Sequence, residues 1–315
     1  MPRTPNSHLV GSDRLHFGWD NALAPVLTIA PGDTIEFDTV DAGGGQLGPA
    51  STVEDVSRFD FSRVNPAFGP VYVDGAEPGD ALKVTIVDLK LHGWGWTANI
   101  PGFGLLADRF ATPALHIWEL EDGKPAAYKA GAKVPLKPFP GIMGVALPEP
   151  GVHSVVNPRM YGGNMDTRDL GVGSELLIPV GVPGALFSCG DGHAVQGDGE
   201  VCGTAIEAPM TMTITLDLVK GANLRFPRFA TPRGPVTRHL DGAGYDVTMA
   251  MGPDLYENAK HCVSDMVDKL AAERGLDPVD AYMLCSVCAD LRISEIVDMP
   301  NWIVSCYFPR IVFEL

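Results

Sequence analysis

A dense group of acidic and metal-ligating side chains lies between residues 188 and 207. Four carboxylates and one histidine fall within this stretch, which contains no lysine or arginine: Asp191, His193, Asp198, Glu200 and Glu207. Buried carboxylates without a cation repel one another and are costly to desolvate, so a divalent metal ion is one way to stabilise such a group. A solvated polar turn is the alternative, because glycine and aspartate are common turn residues.

Asp191 and His193 are two residues apart, and on a strand such residues project from the same face. A carboxylate beside an imidazole can bind a divalent ion such as zinc, or can act as an acid–base pair. If residues 185–193 and 200–206 pair as a hairpin, Glu200 returns to the neighbourhood of His193. From the spacing alone, a chemical site and a polar hairpin tip are equally good interpretations of this segment.

Other candidates lie elsewhere in the chain. Asn164 and Asp166 repeat the same spacing after a pair of glycines, and Asp41 precedes a glycine-rich loop at the end of a predicted strand. Each of them, taken alone, is more typical of a turn residue than of a ligand. Second-rank candidates are His16 and His153, with Cys202 as a conceivable thiol nucleophile. The chain has no Gly-x-Ser-x-Gly elbow, no phosphate-binding glycine-rich loop and no His-Glu-x-x-His helix.

The elements that must position these residues are mostly short strands. Alternating apolar and polar residues predict strands within 25–40, 71–89 and 174–219. The pattern then changes: a helical face over 253–274 ends at Gly275, and Asp277-Pro278 is typical of the start of a second helix running to about Asp290. Strands are predicted at 301–308 and 310–314.

We therefore predict a mainly β fold, with a sandwich or barrel-like body of short strands and a small C-terminal α+β segment that contains a helical pair. The catalytic body is predicted to span residues 1–220. The segment 221–315 is expected to pack on it rather than to fold independently. Two stretches are interpreted as loops: the glycine- and tryptophan-rich residues 93–106, which could cover a pocket, and the proline-rich connection 135–158.

The composition limits the classes of function. The chain of 315 residues is 45% apolar and carries a formal charge of −16. It can bury a sizeable core, and so acidic a surface disfavours nucleic acid and anionic lipid as partners. We expect a small neutral or cationic substrate rather than an anionic one, no membrane contact and a cytoplasmic location with free thiols.

Several motifs, in order along nearly the whole chain, resemble the acetamidase/formamidase family. They comprise Pro31-Gly32-Asp33, the Asp41–Gln46 loop, Gly75–Asp80, Gly162–Asp166, Gly190–His193, Gln196–Glu200, Cys202–Glu207 and Ala289–Ser294. The resemblance implies a mostly β hydrolase that converts short aliphatic amides such as acetamide and formamide to a carboxylic acid and ammonia, usually as a homo-oligomer.

The residues suggest a mechanistic hypothesis for such an enzyme. Asp191 and His193, with Asp41 or Glu200, are expected to hold a divalent ion, zinc in the first place and calcium in the second, and no organic cofactor is expected. Glu200 or Glu207 is the candidate base, and Asn164 is the candidate oxyanion donor. Asp166 is grouped with these catalytic candidates. The alternative is a non-catalytic β-sandwich that binds carbohydrate or another small ligand through the loop containing Trp94 and Trp96.

Overall fold

The computed structural model describes residues 5–233, 243–296 and 299–314, and strands predominate in it. This confirms the predicted fold class. The strands, in chain order, are β1 (Ser7–Val10), β2 (Leu15–His16), β3 (Gly18–Trp19), β4 (Leu27–Ile29), β5 (Asp33–Thr39), β6 (Ala67–Val73), β7 (Ala81–Leu91), β8 (Trp94–Asn99), β9 (Ala114–Glu119), β10 (Ala126–Ala127), β11 (Lys133–Val134), β12 (Phe139–Gly144), β13 (His153–Ser154), β14 (Gly162–Asn164), β15 (Glu175–Pro179), β16 (Phe187–His193), β17 (Met210–Val219), β18 (Arg228–Ala230), β19 (Tyr245–Gly252), β20 (Asp290–Glu295) and β21 (Trp302–Pro309). The α-helices are α1 (Val53–Val56), α2 (Leu255–Arg274) and α3 (Pro278–Cys288).

Two six-stranded sheets form the body. The first has the order β1-β5-β17-β7-β15-β18, and the second has the order β14-β12-β16-β6-β2, with β4 added in parallel to β6. Strands β5 and β17 bury every second residue, as their alternating sequences predict. Phe37 on β5 and Phe187 on β16 meet edge to face, with ring centroids 6.0 Å apart. The sheets therefore pack face to face around a shared apolar core.

Strand β16 occupies the centre of the second sheet and is buried along its whole length. It pairs with β12 on one side, where Phe139 lies opposite His193, and with β6 on the other. Since β16 ends at His193, the polar end of this strand is carried into the interior of the protein rather than to a hairpin tip in solvent.

Several local predictions were wrong. Residues 94–99 and 139–144 form strands β8 and β12 inside stretches interpreted as loops, because glycine and proline there serve close strand contacts rather than turns. Residues 310–313 form a 3₁₀ turn instead of a strand. Strand β21 pairs with β19 and β20, and the sequence interpretation missed both of these strands.

The C-terminal helices are bounded as expected. Asp254 caps α2 by accepting hydrogen bonds from two backbone N–H groups, and Gly275 follows the helix with φ 67°, a left-handed conformation that favours glycine. Helix α2 packs on β19, β21 and α3, and α3 also contacts β8 of the body. Every residue of α3 after Val279 is buried. The division at residue 220 stays a prediction. Within the described ranges, no helix is long and apolar enough to cross a membrane.

Candidate active site

A histidine and several carboxylates converge at the end of β16. His193 Nε2 lies 3.3 Å from Asp191 Oδ1 and 3.1 Å from Glu207 Oε2. All three residues are at most 3% exposed. The structure therefore places Asp191, His193 and Glu207 in the interior, whereas Asp198 and Glu200 lie in a partly exposed turn.

Glycine and backbone pairing bring these three residues together. Asp191 has φ 56°, so the strand is irregular here, and the residues before and after it are glycines in close contact with neighbouring backbone carbonyls. The Glu207 backbone exchanges hydrogen bonds with Trp96 and bridges to His193. A Cβ at Gly95 would lie 2.7 Å from the Glu207 carbonyl oxygen, so glycine is needed where β8 approaches this segment.

Gln196 fixes which nitrogen of His193 carries a proton. The Gln196 side-chain amide donates to the backbone carbonyl of Asp166 (2.8 Å), which directs its Oε1 toward His193 Nδ1 at 2.8 Å. Because an amide oxygen only accepts, Nδ1 must donate. Nε2 therefore faces the two carboxylates either with a second proton or with a lone pair that can bind a cation.

Three buried carboxylate oxygens have no hydrogen-bond partner among the residues that the structure describes: Asp166 Oδ1, Asp191 Oδ1 and Glu207 Oε2. Such oxygens are costly to bury unless a cation or a proton compensates them. Ligand atoms of Asp166, Asp191 and His193 lie within 4.8 Å of one another, as do those of His193, Glu200 and Glu207. The donor set of one imidazole nitrogen with carboxylate oxygens fits zinc, whereas calcium prefers a shell of oxygens.

Burial and mutual repulsion perturb the protonation of this group. Burial, followed by the charge of Asp191, raises the pKa of Asp166 to about 8. Burial raises the pKa of Glu207 to about 7, and burial with repulsion from Asp166 raises the pKa of Glu200 well above its ordinary value. Burial by itself would lower the pKa of His193, but the carboxylates of Glu207 and Asp191 outweigh it and raise that pKa well above its ordinary value. Groups able to gain and lose protons near neutral pH are typical of catalytic sites.

Two asparagines extend the polar group. Asn164 Nδ2 donates to Asp166 Oδ2 (2.6 Å), and Asn65 Nδ2 lies 3.2 Å from Asn164 Oδ1 and 3.3 Å from Asp191 Oδ2. The sequence interpretation missed Asn65, whose only signal is the Asn-Pro dipeptide that marks a turn. Glu200, which is partly exposed, and Thr204 line the same cavity.

Asp41 does not belong to either group of candidate ligands, and its assignment as a metal ligand stays a prediction. Its Oδ1 accepts hydrogen bonds from the Trp96 indole N–H (2.8 Å) and the Gly43 backbone N–H (2.8 Å), and Oδ2 accepts from Gly45. Both sets of candidate ligands within the described ranges are formed by other side chains. Asp41 instead fixes the position of Trp96, which lines the cavity.

The second-rank candidates also lie apart from the site. The Cys202 thiol contacts the carbonyl oxygens of Ala98 and Thr204, and burial raises its pKa to about 11, which opposes thiolate formation. His16 Nε2 pairs with Ser188 Oγ (2.9 Å), and His153 Nε2 pairs with a backbone carbonyl near the surface.

A buried arginine connects the site to the C-terminal segment. The Arg168 guanidinium forms a two-point ion pair with Asp290 at the start of β20, and its Nε lies 3.2 Å from Asp198. Asp198 belongs to the turn that carries Glu200, and Gly197 in the same turn donates to the Ser286 carbonyl on α3. The C-terminal segment thus sets the position of a candidate catalytic carboxylate.

A cavity of about 170 Å³ opens above the polar group. Asp191, Glu207 and Asn164 line one part of it, and aromatic and aliphatic side chains line the rest. Trp96 is 2% exposed, so it cannot act as the open stacking surface that the carbohydrate-binding alternative required. The arrangement is that of a small-molecule site with convergent polar groups.

Comparisons with known proteins agree on one group of enzymes. The family model described as the acetamidase/formamidase family matches residues 5–154 and 147–315. The formamidase of Methylophilus methylotrophus is 26% identical, over 96% of this chain and 90% of that protein. Among solved structures, the gamma lactamase from Delftia acidovorans superposes with a TM-score of 0.87 at 25% identity, over 96% of this chain and 90% of that one. The acetamidase from Bacillus halodurans superposes with a TM-score of 0.68 at 31% identity, over 97% and 98% of the two chains.

Proposed function

Because this chain belongs to the acetamidase/formamidase family, we propose that it is a hydrolase that cleaves the C–N bond of small neutral amides to a carboxylic acid and ammonia. The observation that carries the proposal is the buried group of His193, Asp191 and Glu207 at the inner end of an apolar cavity. The similar proteins named formamidase, acetamidase and gamma lactamase all act on amide bonds according to their names. Their names support the same class of reaction for this protein.

We propose that a divalent ion, zinc in the first place, belongs to this site. His193 through Nε2 and Asp191 through Oδ1 would hold it, with Asp166 contributing a further oxygen, because ligand atoms of these three side chains lie within 4.8 Å of one another. Among the described residues, Oδ1 of each of the two aspartates has no hydrogen-bond partner. When bound, the ion would polarise the amide carbonyl and lower the pKa of a bound water. Gln196 keeps the imidazole in the tautomer that leaves Nε2 available.

Glu200 is the better placed of the two candidate bases. Glu207 Oε1 is held by the Ala205 N–H at 2.8 Å and its Oε2 faces His193, whereas Glu200 lines the cavity and has a raised pKa. In the proposed reaction Glu200 accepts a proton from the attacking water, whose oxygen bonds to the carbonyl carbon. It then returns a proton to the nitrogen as the C–N bond breaks. The Asn164 side-chain amide donates one hydrogen to Asp166. Its second hydrogen would be donated to the negative charge that develops on the carbonyl oxygen.

Ammonia release from acetamide and formamide tests the reaction, and metal analysis with chelation and zinc re-addition tests the ion. Glu200→Gln should lower kcat by about 10²–10⁴-fold, the usual contribution of a general acid–base group, with little change in KM. Glu121→Gln, at a carboxylate that is 68% exposed, is the matched control. Full activity of a metal-free sample would contradict the proposed role of the ion. Full activity of Glu200→Gln would contradict the assignment of Glu200 as the base.

We also propose that the protein forms a homo-oligomer. Strand β19 turns Val247, Met249 and Met251 outward, with 42%, 49% and 62% of their surfaces exposed, while Ala250 between them faces α2. A row of apolar side chains on one sheet face is typical of a surface covered by a second copy. Light scattering should give a mass above that of one chain, and Met249→Glu should reduce it. A monomer at micromolar concentration would contradict this assignment.

A further inference from the structure

The cavity above the carboxylates has two chemically distinct ends. The inner end is polar and buried, with Asp191 at 1% exposure and Glu207 at 3%. The outer end is apolar, and its side chains become more exposed toward the opening, where Phe103 is 41% and Phe61 is 56% exposed. An amide that reacts at the inner end must therefore direct its acyl group along an apolar wall.

This wall is held rigidly by contacts behind it. Trp96 is fixed by its indole hydrogen bond to Asp41, and the Phe59 ring meets Trp96 edge to face at 5.7 Å. The Phe103 ring lies against Gly203, where a Cβ would be only 2.5 Å from the ring. Since the wall is formed before any ligand binds, an apolar group that fills it does not have to pay for ordering these side chains.

The cavity is large compared with the smallest amides. By the same measure a single water needs ~10–15 Å³, whereas this cavity offers about 170 Å³. Acetamide contributes one methyl group to the wall, and formamide contributes none. The apolar surface left in contact with water by these two substrates could instead be covered by a longer or branched acyl chain, which the hydrophobic effect favours.

We propose that this wall is an acyl-binding subsite that selects neutral amides with apolar acyl groups larger than acetyl, such as butanamide and 3-methylbutanamide. The inference rests on the amide hydrolysis proposed above and assigns its substrate class. Substrates with a carboxylate on the acyl chain are disfavoured, because the apolar wall would desolvate that charge without offering it a cationic partner.

The test compares kcat/KM along the series acetamide, propanamide, butanamide and 3-methylbutanamide, in which the reactivity of the carbonyl changes little. Each added carbon buried against the wall should raise kcat/KM by about fourfold. A ratio for 3-methylbutanamide over acetamide on the order of tens supports the subsite. A ratio at or below one overturns it while leaving amide hydrolysis intact, whereas a failure to cleave any of the four amides overturns the proposed function itself.

Two matched variants test whether the preference for larger acyl groups arises from the apolar wall. Phe61 and Phe226 are both 56% exposed, but only Phe61 lines this cavity. Phe61→Ser should lower the ratio of kcat/KM for 3-methylbutanamide over acetamide by about fourfold or more, which corresponds to the loss of at least one buried methylene. Phe226→Ser should leave the ratio unchanged. If Phe61→Ser also leaves it unchanged, the selectivity does not arise at this wall.

Discussion

Asp290→Ala tests whether the buried Arg168 ion pair stabilises the protein and positions the site. Arg168 and Asp290 are each about 3% exposed, and the carboxylate contacts the guanidinium at two points. Breaking a buried pair by removing one partner costs ~3–5 kcal/mol because a desolvated charge is left behind. Asp198, 3.2 Å from the same guanidinium, remains as a partner. We therefore expect the lower end of the range, ~3 kcal/mol.

This free energy converts to a measurable change in Tm. An unfolding entropy of ~2.1 cal/mol/K per residue gives ~0.66 kcal/mol/K for 315 residues. A loss of ~3 kcal/mol then lowers Tm by about 4–5 °C in differential scanning calorimetry. We also expect kcat for acetamide to fall by about tenfold, since small displacements of a positioned base are costly, and the turn that carries Glu200 loses part of its anchor.

Asp268→Ala is the matched control. Asp268 also pairs with an arginine, Arg109, but its carboxylate is 64% exposed. Exposed pairs contribute about 0–1 kcal/mol, so Tm should fall by less than about 2 °C, and kcat should not change. If Asp290→Ala lowers Tm no more than Asp268→Ala does, the buried pair does not stabilise the fold. If Tm falls but kcat is retained, the pair stabilises the protein without positioning the catalytic turn.

Three further predictions concern the site itself. Burial raises the pKa of Glu207 to about 7 and that of Asp166 to about 8. The folded metal-free protein therefore binds more protons than the unfolded chain, and its free energy of unfolding should fall as the pH rises from about 4 to about 8. Urea denaturation across this range checks the prediction, and a free energy that rises instead contradicts it. Cys202→Ala should keep kcat within about twofold, because burial raises the thiol pKa to about 11 and the thiol stays protonated; a hundredfold loss would make it a nucleophile. Gly141→Ala would place a Cβ 2.7 Å from Asp191 Oδ2 and 2.8 Å from Asp166 Oδ1. It should weaken zinc binding at least tenfold in calorimetric titration. Gly48→Ala is the control and should bind zinc normally, because a Cβ at Gly48 meets open space.

The fold class followed from the sequence because alternation in β5 and over most of β17 is regular and each of these strands has one buried face. Strands β8 and β12 were missed because their glycines and prolines resemble turn signals. At Gly95 the small residue instead admits the Glu207 backbone. That requirement comes from a segment more than a hundred residues away, so no local pattern could indicate it.

The site was predicted where its members are close in sequence and missed where they are not. Asp191, His193, Glu200 and Glu207 lie within one segment, and the structure brings them together. Asn65 and Arg168 reach the site through tertiary contacts that a single sequence does not encode locally. Asp41 was grouped with the ligands because a carboxylate beside a glycine loop is typical both of a ligand and of a group that binds backbone N–H donors. The Trp96 contact favours the second interpretation.

The place of β17 in the first sheet has a consequence for how the chain folds during synthesis. This strand lies between β5 and β7 and pairs with both, although it follows them by well over a hundred residues. Until residues 210–219 have left the ribosome, the inner edges of β5 and β7 stay unpaired and can recruit strands from other chains. Contacts of such long sequence separation also slow folding. The segment that carries Asp191, His193 and Glu207 immediately precedes β17, so the catalytic group leaves the ribosome just before the strand that closes the sheet.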